Sequence, residues 1–358
     1  MPITLLSMRR LLPALLLGAL LVCPSIANAQ GVDGPNPLEG LKLYSERDAP
    51  SWHSYRWLMN KGKEGQAKLI YKIASQPRAI WVGRHTSPHF AKKVRLIIDG
   101  AKADGAVPIM TVMRAEATQC GPTYQGGGPR ADRVTRRWYR RLARVIGGDR
   151  VIIGFEPDSL GTISCLAPSR RDDRLELLRY GVDVLSALPG ATIYIEAGAS
   201  DWEASFRMAR KLRKVGINKV RGFMLNVTHY DWTMNNVRYG LDLSRRLGGK
   251  HFVINTAQNG RGPVHYKAAN GRRINVWCSP KLRGLGPVPT TDTAHPLVDA
   301  YLWLNRPGYA QSCAGRKIDW FLPRALTLAR LATDWVRPPR GTRFGHFKPY
   351  PPSVFGVP

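Results

Sequence analysis

The chain has 358 residues, with 54 Lys and Arg against 25 Asp and Glu, a formal net charge of +29 and an isoelectric point near 10.5. Hydrophobic residues make up 44% of it, enough for a full core, which excludes a disordered or collagen-like chain. The charge admits a polyanionic partner, but no nucleic-acid motif accompanies it, so nucleic acid is not expected as a partner.

Arg9 and Arg10 precede an apolar run, residues 11–22, too short to span a membrane, and Ala27-Asn28-Ala29 has the small-x-small pattern of a cleavage site. Residues 1–29 therefore read as a secretory signal peptide, and the product as freely secreted, with no integral membrane segment after cleavage. Cys23 raises a lipoprotein alternative, which the bulk of Val22 before it disfavours. Cleavage leaves Cys120, Cys165, Cys278 and Cys313. An even count in an exported protein argues for two disulfides, with three connectivities open. No Ser/Thr/Pro linker divides residues 30–336, which read as one domain and the product as a monomer; residues 337–358 read as a proline-rich tail.

Residues 65–75 have helical periodicity and empty into a short buried strand at 79–83. A helix over 91–105 follows, with Val94, Ile97, Ile98 and Ala101 on one face, then a strand at 107–113. Arg133, Arg137, Arg140, Arg141 and Arg144 recur at helical spacing opposite Val134, Trp138, Leu142 and Val145, the pattern of a surface helix whose basic side faces water. Next, Val151-Ile152-Ile153 leads into Gly-Phe-Glu-Pro-Asp-Ser-Leu at 154–160. An apolar run ending in acidic residues predicts a central strand delivering carboxylates to its C-terminal end, where parallel α/β proteins place their sites. Helices are expected over 174–188, 204–215, 237–247 and 320–333. Strands are expected over 192–196, 222–227, 251–255 and 299–304, with an irregular stretch over 256–296.

Strand and helix thus alternate about seven times, which predicts an α/β fold with a parallel sheet, closed far enough to be a barrel. Trp81, His85, Trp202, Asn226, His229, Tyr230, Trp277 and Trp303 fall at or after strand ends. Flat aromatics above a parallel barrel suit a cleft in which pyranose rings stack. The histidines are scattered without metal-ligand spacing, there is no nucleophile elbow, and neither metal nor cofactor is expected.

Taken in order, several motifs resemble glycoside hydrolase family 6, the endoglucanases and cellobiohydrolases. They are Cys120-Gly121 with Tyr124; Glu156-Pro157-Asp158-Ser159-Leu160; Tyr194-Ile195-Glu196-Ala197-Gly198 with Trp202; and Leu225-Asn226-Val227 with Tyr230. Asn259-Gly260, Trp277-Cys278, Arg283-Gly284-Leu285-Gly286 and Pro296–Ala300 running into Trp303 complete the series. The resemblance spans Asn36 to roughly Thr333. It implies a distorted, incomplete parallel β/α barrel of about seven strands, in a single domain, that hydrolyses β-1,4-glucan with inversion. It implies pairing of Cys120 with Cys165 and of Cys278 with Cys313, Asp158 as general acid, and Trp81, Trp202 and Trp277 as sugar platforms, with Asn226 and Asn305 also contacting substrate.

The chain departs from that family at its chemistry. Relatives carry an aspartate before the first disulfide cysteine, where Gln119 stands here, and a base aspartate before the last one, where the segment is Tyr309-Ala310-Gln311-Ser312-Cys313. Asn305 replaces a lysine, Met113 a tyrosine, Ala199 a histidine, Asn255 an aspartate, and Glu196 stands for aspartate. Glu116, Glu196 and Asp201 are candidate replacement carboxylates, whereas Glu156 is expected to brace the Asp158 loop. Two readings follow. The preferred one is a hydrolase of β-glucan or a related polysaccharide with an unassigned base; the alternative is a silent glycan- or cell-wall-binding protein. The charge adds a variant of the first, a hydrolase acting on an anionic polymer.

Overall fold

The computed structural model describes residue 1 and residues 33–83, 89–115, 128–267, 273–276, 278–310 and 319–336. In chain order its strands are β1 (Ile80–Gly83), β2 (Ile109–Met113), β3 (Val151–Phe155), β4 (Ala191–Glu196), β5 (Gly222–Leu225) and β6 (His251–Asn255), then the hairpin β7 (His265–Lys267) and β8 (Arg273–Asn275). β9 (Val298–Leu302), β10 (Tyr309–Ala310) and β11 (Asp319–Trp320) follow. The helices are α1 (Pro50–Asn60), α2 (Glu64–Ala74), α3 (Phe90–Ala103), α4 (Pro129–Ile146), α5 (Pro168–Ser186), α6 (Ser205–Lys214), α7 (Thr233–Arg246) and α8 (Leu322–Arg330).

Seven strands form one parallel sheet in the order β1-β2-β3-β4-β5-β6-β9, so each helical crossover joins neighbours. Alternation along the strands divides the core in two. Ile109, Ile152, Tyr194, Met224, Val253 and Leu302 point to the inside of the curl. Val112, Ile153, Phe155, Ile195, Phe223 and Ile254 point out to the helices. Because both faces are covered, β3 is buried along its whole length and reads as an unbroken apolar run. Gly154 belongs inside, where a Cβ would stand 2.8 Å from Met224 Sδ.

The sheet curls until its edges nearly meet, the incomplete barrel expected. β1 and β9 share no ladder, yet Ala79 N–H donates to Trp303 O at 2.8 Å and Trp81 Nε1–H to Leu304 O at 2.9 Å. At the N-terminal end the interior is plugged by an ion pair. Arg221 Nε and Nη2 donate to both Asp299 oxygens at 2.8 and 2.9 Å, and Tyr194 O–H donates at 2.7 Å. Burial works against that carboxylate, but its bonds from Arg221, His251 and Tyr194 hold Asp299 below the usual range.

Some local expectations shift. The inward face of α4 is Thr135, Tyr139, Leu142 and Ile146, one residue along from the face read from the sequence, and Val134 is exposed. α5 starts at Pro168, whose missing N–H suits a first helical turn, six residues before the amphipathic pattern becomes clear. The stretch 256–296 contains the β7–β8 hairpin. Trp303 is a core residue, 0% exposed, its Nε1–H donating to Pro287 O at 3.0 Å, and not a sugar platform.

Candidate active site

The C-terminal ends of β3, β4 and β5 converge on Asp158. Glu156, Asp158 and Asn226 hold φ of 53°, 67° and 66°, left-handed values that cost non-glycine residues on the order of 1–2 kcal/mol each. Three such residues at adjoining strand ends show that the fold overrides local preference there.

Glu156, 1% exposed, is a brace. Its oxygens accept Arg114 N–H at 2.8 and 2.9 Å, Ala115 N–H at 2.9 Å and Tyr139 O–H at 2.6 Å. Burial pushes its carboxyl up to about 7, against those bonds and the charge of Arg174. The pull on Arg114 and Ala115 fastens the loop after β2 to the loop after β3.

Asp158 is partly buried. Its Oδ1 accepts the Thr228 hydroxyl at 2.6 Å, and burial raises its pKa above the ordinary aspartate range despite that bond and the nearby His229. Glu196, 2% exposed at the end of β4, accepts N–H bonds from Leu160, Gly161 and Gly198, two of them from the loop that carries Asp158. Burial and the charge of Asp158 push it up to about 8. The two desolvated carboxyls are coupled through the charge of Asp158 on Glu196 and titrate as a pair.

Beside this pair Trp202 stacks on His229 at 4.6 Å and 12°, and His229 Nδ1 lies 2.8 Å from Asp201 Oδ1, whose other oxygen accepts Asn275. The ring also lies against Gly161, where a Cβ would meet it at 2.4 Å. Asp201 and Asn275 continue into a pocket of about 460 Å³ lined further by Asp231, Trp232, Asn235, Pro263 and His265.

Of the other residues singled out from the sequence, Trp81 is partly exposed on β1, with the Arg306 guanidinium 5.1 Å from its ring. Asn226 is 0% exposed: it donates to Asp231 O and Asn255 O and accepts Asp231 N–H, which places it beneath the cleft floor. Asn305 donates to Val227 O at 2.8 Å and receives Arg306 N–H at 2.7 Å, joining β9 to the same amide network. Trp277, His85, Glu116, Gln119, Gln311, Cys120 and Cys313 lie outside the described residues. Cys165 and Cys278 are each disulfide-bonded. Thr228 is a residue that sequence reasoning misses, since there it is only the end of an Asn-x-Thr sequon. Its signal was its place just past a strand end. Among the described residues no group of three His, Cys, Asp or Glu could hold a metal, and no helix is long and apolar enough to cross a membrane.

A parallel barrel with carboxyls of raised pKa and a stacked aromatic ring at its C-terminal face has the layout of a glycoside hydrolase. Residues 39–321 match the sequence profile of Glycosyl hydrolases family 6, and the chain belongs to that family. It is 34% identical over 303 residues to Endoglucanase A of Cellulomonas fimi, covering 83% of this chain and 62% of that protein's length. It is 28% identical to Endoglucanase A of Thermobispora bispora, covering 90% and 69%. Among solved structures it resembles the endoglucanase Cel6 from Mycobacterium tuberculosis, in complex with a methyl-cellobiosyl-4-deoxy-4-thio-β-D-cellobioside. That likeness has a TM-score of 0.74 at 32% identity and covers 83% of this chain and 99% of the other.

Proposed function

We propose that the chain is a secreted hydrolase that cleaves β-1,4-glucan linkages with inversion, using Asp158 as the general acid. The observation that carries this reading is Asp158 itself, partly buried at the end of β3 with its pKa raised, beside the Trp202 ring. An inverting acid must arrive protonated, give its proton to the leaving glycosidic oxygen, and be reset afterwards. The Thr228 hydroxyl occupies Oδ1 of Asp158, so the proton belongs on Oδ2. Glu196 does not touch the glycan in this scheme. It is the carboxyl coupled to Asp158, the place that relatives give to an aspartate where Gln119 stands here.

The base that activates water on the opposite face is unassigned. The signal peptide, the Cys120–Cys165 and Cys278–Cys313 pairings, and the Trp81, Trp202 and Trp277 platforms belong to the same proposal. Each bridge would stabilise the fold by about 2–4 kcal/mol.

Asp158→Asn is expected to lower turnover of a soluble β-glucan by at least a thousandfold, with products released by the unaltered chain appearing first as the α-anomer. Equal sugar release from both proteins would remove Asp158 from the acid role, and a first-formed β-anomer would exclude inversion. Gln311 and Gln119 favour a second reading, a silent glycan- or cell-wall-binding protein. Binding without hydrolysis on long incubation with neutral and acidic glucans would select it.

A further inference from the structure

α4 differs from its neighbours in how it handles charge. On α3, Arg95 and Lys102 are paired with Asp149; α6 pairs Lys211 with Glu203; α7 pairs Arg246 with Asp242. On each of these helices an acid answers at least one basic side chain. On α4, by contrast, Asp132 is turned to Arg170 of α5, and Arg133, Arg137, Arg140, Arg141 and Arg144 are exposed without an ion pair to any described residue. α6 has no acid of its own, yet Glu203 and Asp172 reach its Arg207, Lys211 and Lys214; the outer arginines of α4 have no such acid brought to them from the described residues.

Three arginines of α4 are also held in place. Arg136 lies 4.7 Å over the Tyr180 ring, Arg140 donates to Tyr180 Oη at 2.5 Å, and Arg141 lies 4.7 Å over Phe90. Cation–π contact fixes the plane of a guanidinium and leaves its N–H edge outward, which reduces the entropy lost on binding. Every basic residue in α4 is arginine, the side chain whose planar fork meets a carboxylate through two parallel hydrogen bonds. Arg133, Arg137, Arg140 and Arg144 step along the outer face at about one helical turn, ~5.4 Å, a spacing on the scale of one sugar residue. We infer that the outer face of α4 is a binding surface for a linear carboxylated polysaccharide. Nucleic acid fits less well, because single strands need exposed rings on which to stack bases, and here the rings lie beneath the guanidiniums.

The surface is separate from Asp158, so its test needs no turnover. The full chain is titrated with labelled polygalacturonate over a salt series, alongside single-stranded DNA of equal charge and a neutral β-glucan oligomer. Polygalacturonate is expected to bind more tightly than the DNA. Combined Arg133→Gln, Arg137→Gln and Arg144→Gln should weaken it at least tenfold and lower the slope of log K against log salt by roughly 2, about 0.7 per lost contact. Thermal midpoint and hydrolysis of the neutral glucan should not change. A control set, Lys61→Gln, Lys68→Gln and Lys72→Gln, should leave binding intact. The inference is overturned by no polygalacturonate binding at low salt, by equal loss in the control set, by unaltered binding in the arginine set, or by DNA binding as tightly.

Discussion

At the scale of single residues, the ionisation of Asp158 is set by neighbours that pull in opposite directions. The coupled carboxyl of Glu196 opposes it, whereas the Thr228 hydroxyl, bonded at 2.6 Å, favours it. Glu196→Gln removes the coupled carboxyl, so Asp158 should ionise at lower pH and the basic limb of the activity profile should move down. Thr228→Val should move that limb up by about one unit, since a bond to a charged group is worth roughly 1.5–3 kcal/mol and one unit is 1.36. Thr228→Ser should restore it. Shifts of the same sign in both variants would sink the coupled-carboxyl account. Asp158 itself was legible in the sequence because it ends an apolar run. Its neighbours were not, because the bonds from Leu160 to Glu196 and from Thr228 to Asp158 join residues 36 and 70 positions apart. Only the convergence of strand ends brings them together.

At the scale of elements, the strands were legible because a parallel sheet covered on both faces demands apolar residues at every position. α1 was not, since it buries little more than Ser51 and Leu58 and so has no strong apolar periodicity. The inward face of α4 was misplaced because a threonine, Thr135, is buried while Val134 faces water. The loop after β3 has its own constraint: Gly161 leaves room for Trp202, whose ring would stand 2.4 Å from an added Cβ. Gly161→Ala should displace the ring from its stack on His229 and raise KM for a soluble glucan roughly tenfold, or about 1.4 kcal/mol, with kcat changed less. A KM equal to that of the unaltered chain would show that the ring does not serve as a platform.

Across the whole molecule, the Arg221–Asp299 pair closes the end of the barrel opposite the cleft and ties in the N-terminal segment through Gly34 and Asn36. Asp299→Asn leaves Arg221 uncompensated in a dry interior and should cost about 3–5 kcal/mol, read by chemical denaturation at pH 7. Because the folded-state pKa of Asp299 is depressed, its contribution is present above the ordinary carboxylate range and is lost as pH falls below ~4. The variant should therefore show a shallower loss of stability on acidification than the unaltered chain; an equal loss would assign the acid sensitivity elsewhere.

The seam between the sheet edges bears on how the molecule comes into being. Trp81 takes its anchor from Leu304, 223 residues later, and Ala79 takes its acceptor from Trp303. A growing chain therefore holds its first strand from one side only, by the ladder to β2, until residues 303 and 304 have emerged. A chain interrupted before them leaves the curl of the sheet with no second edge to close against.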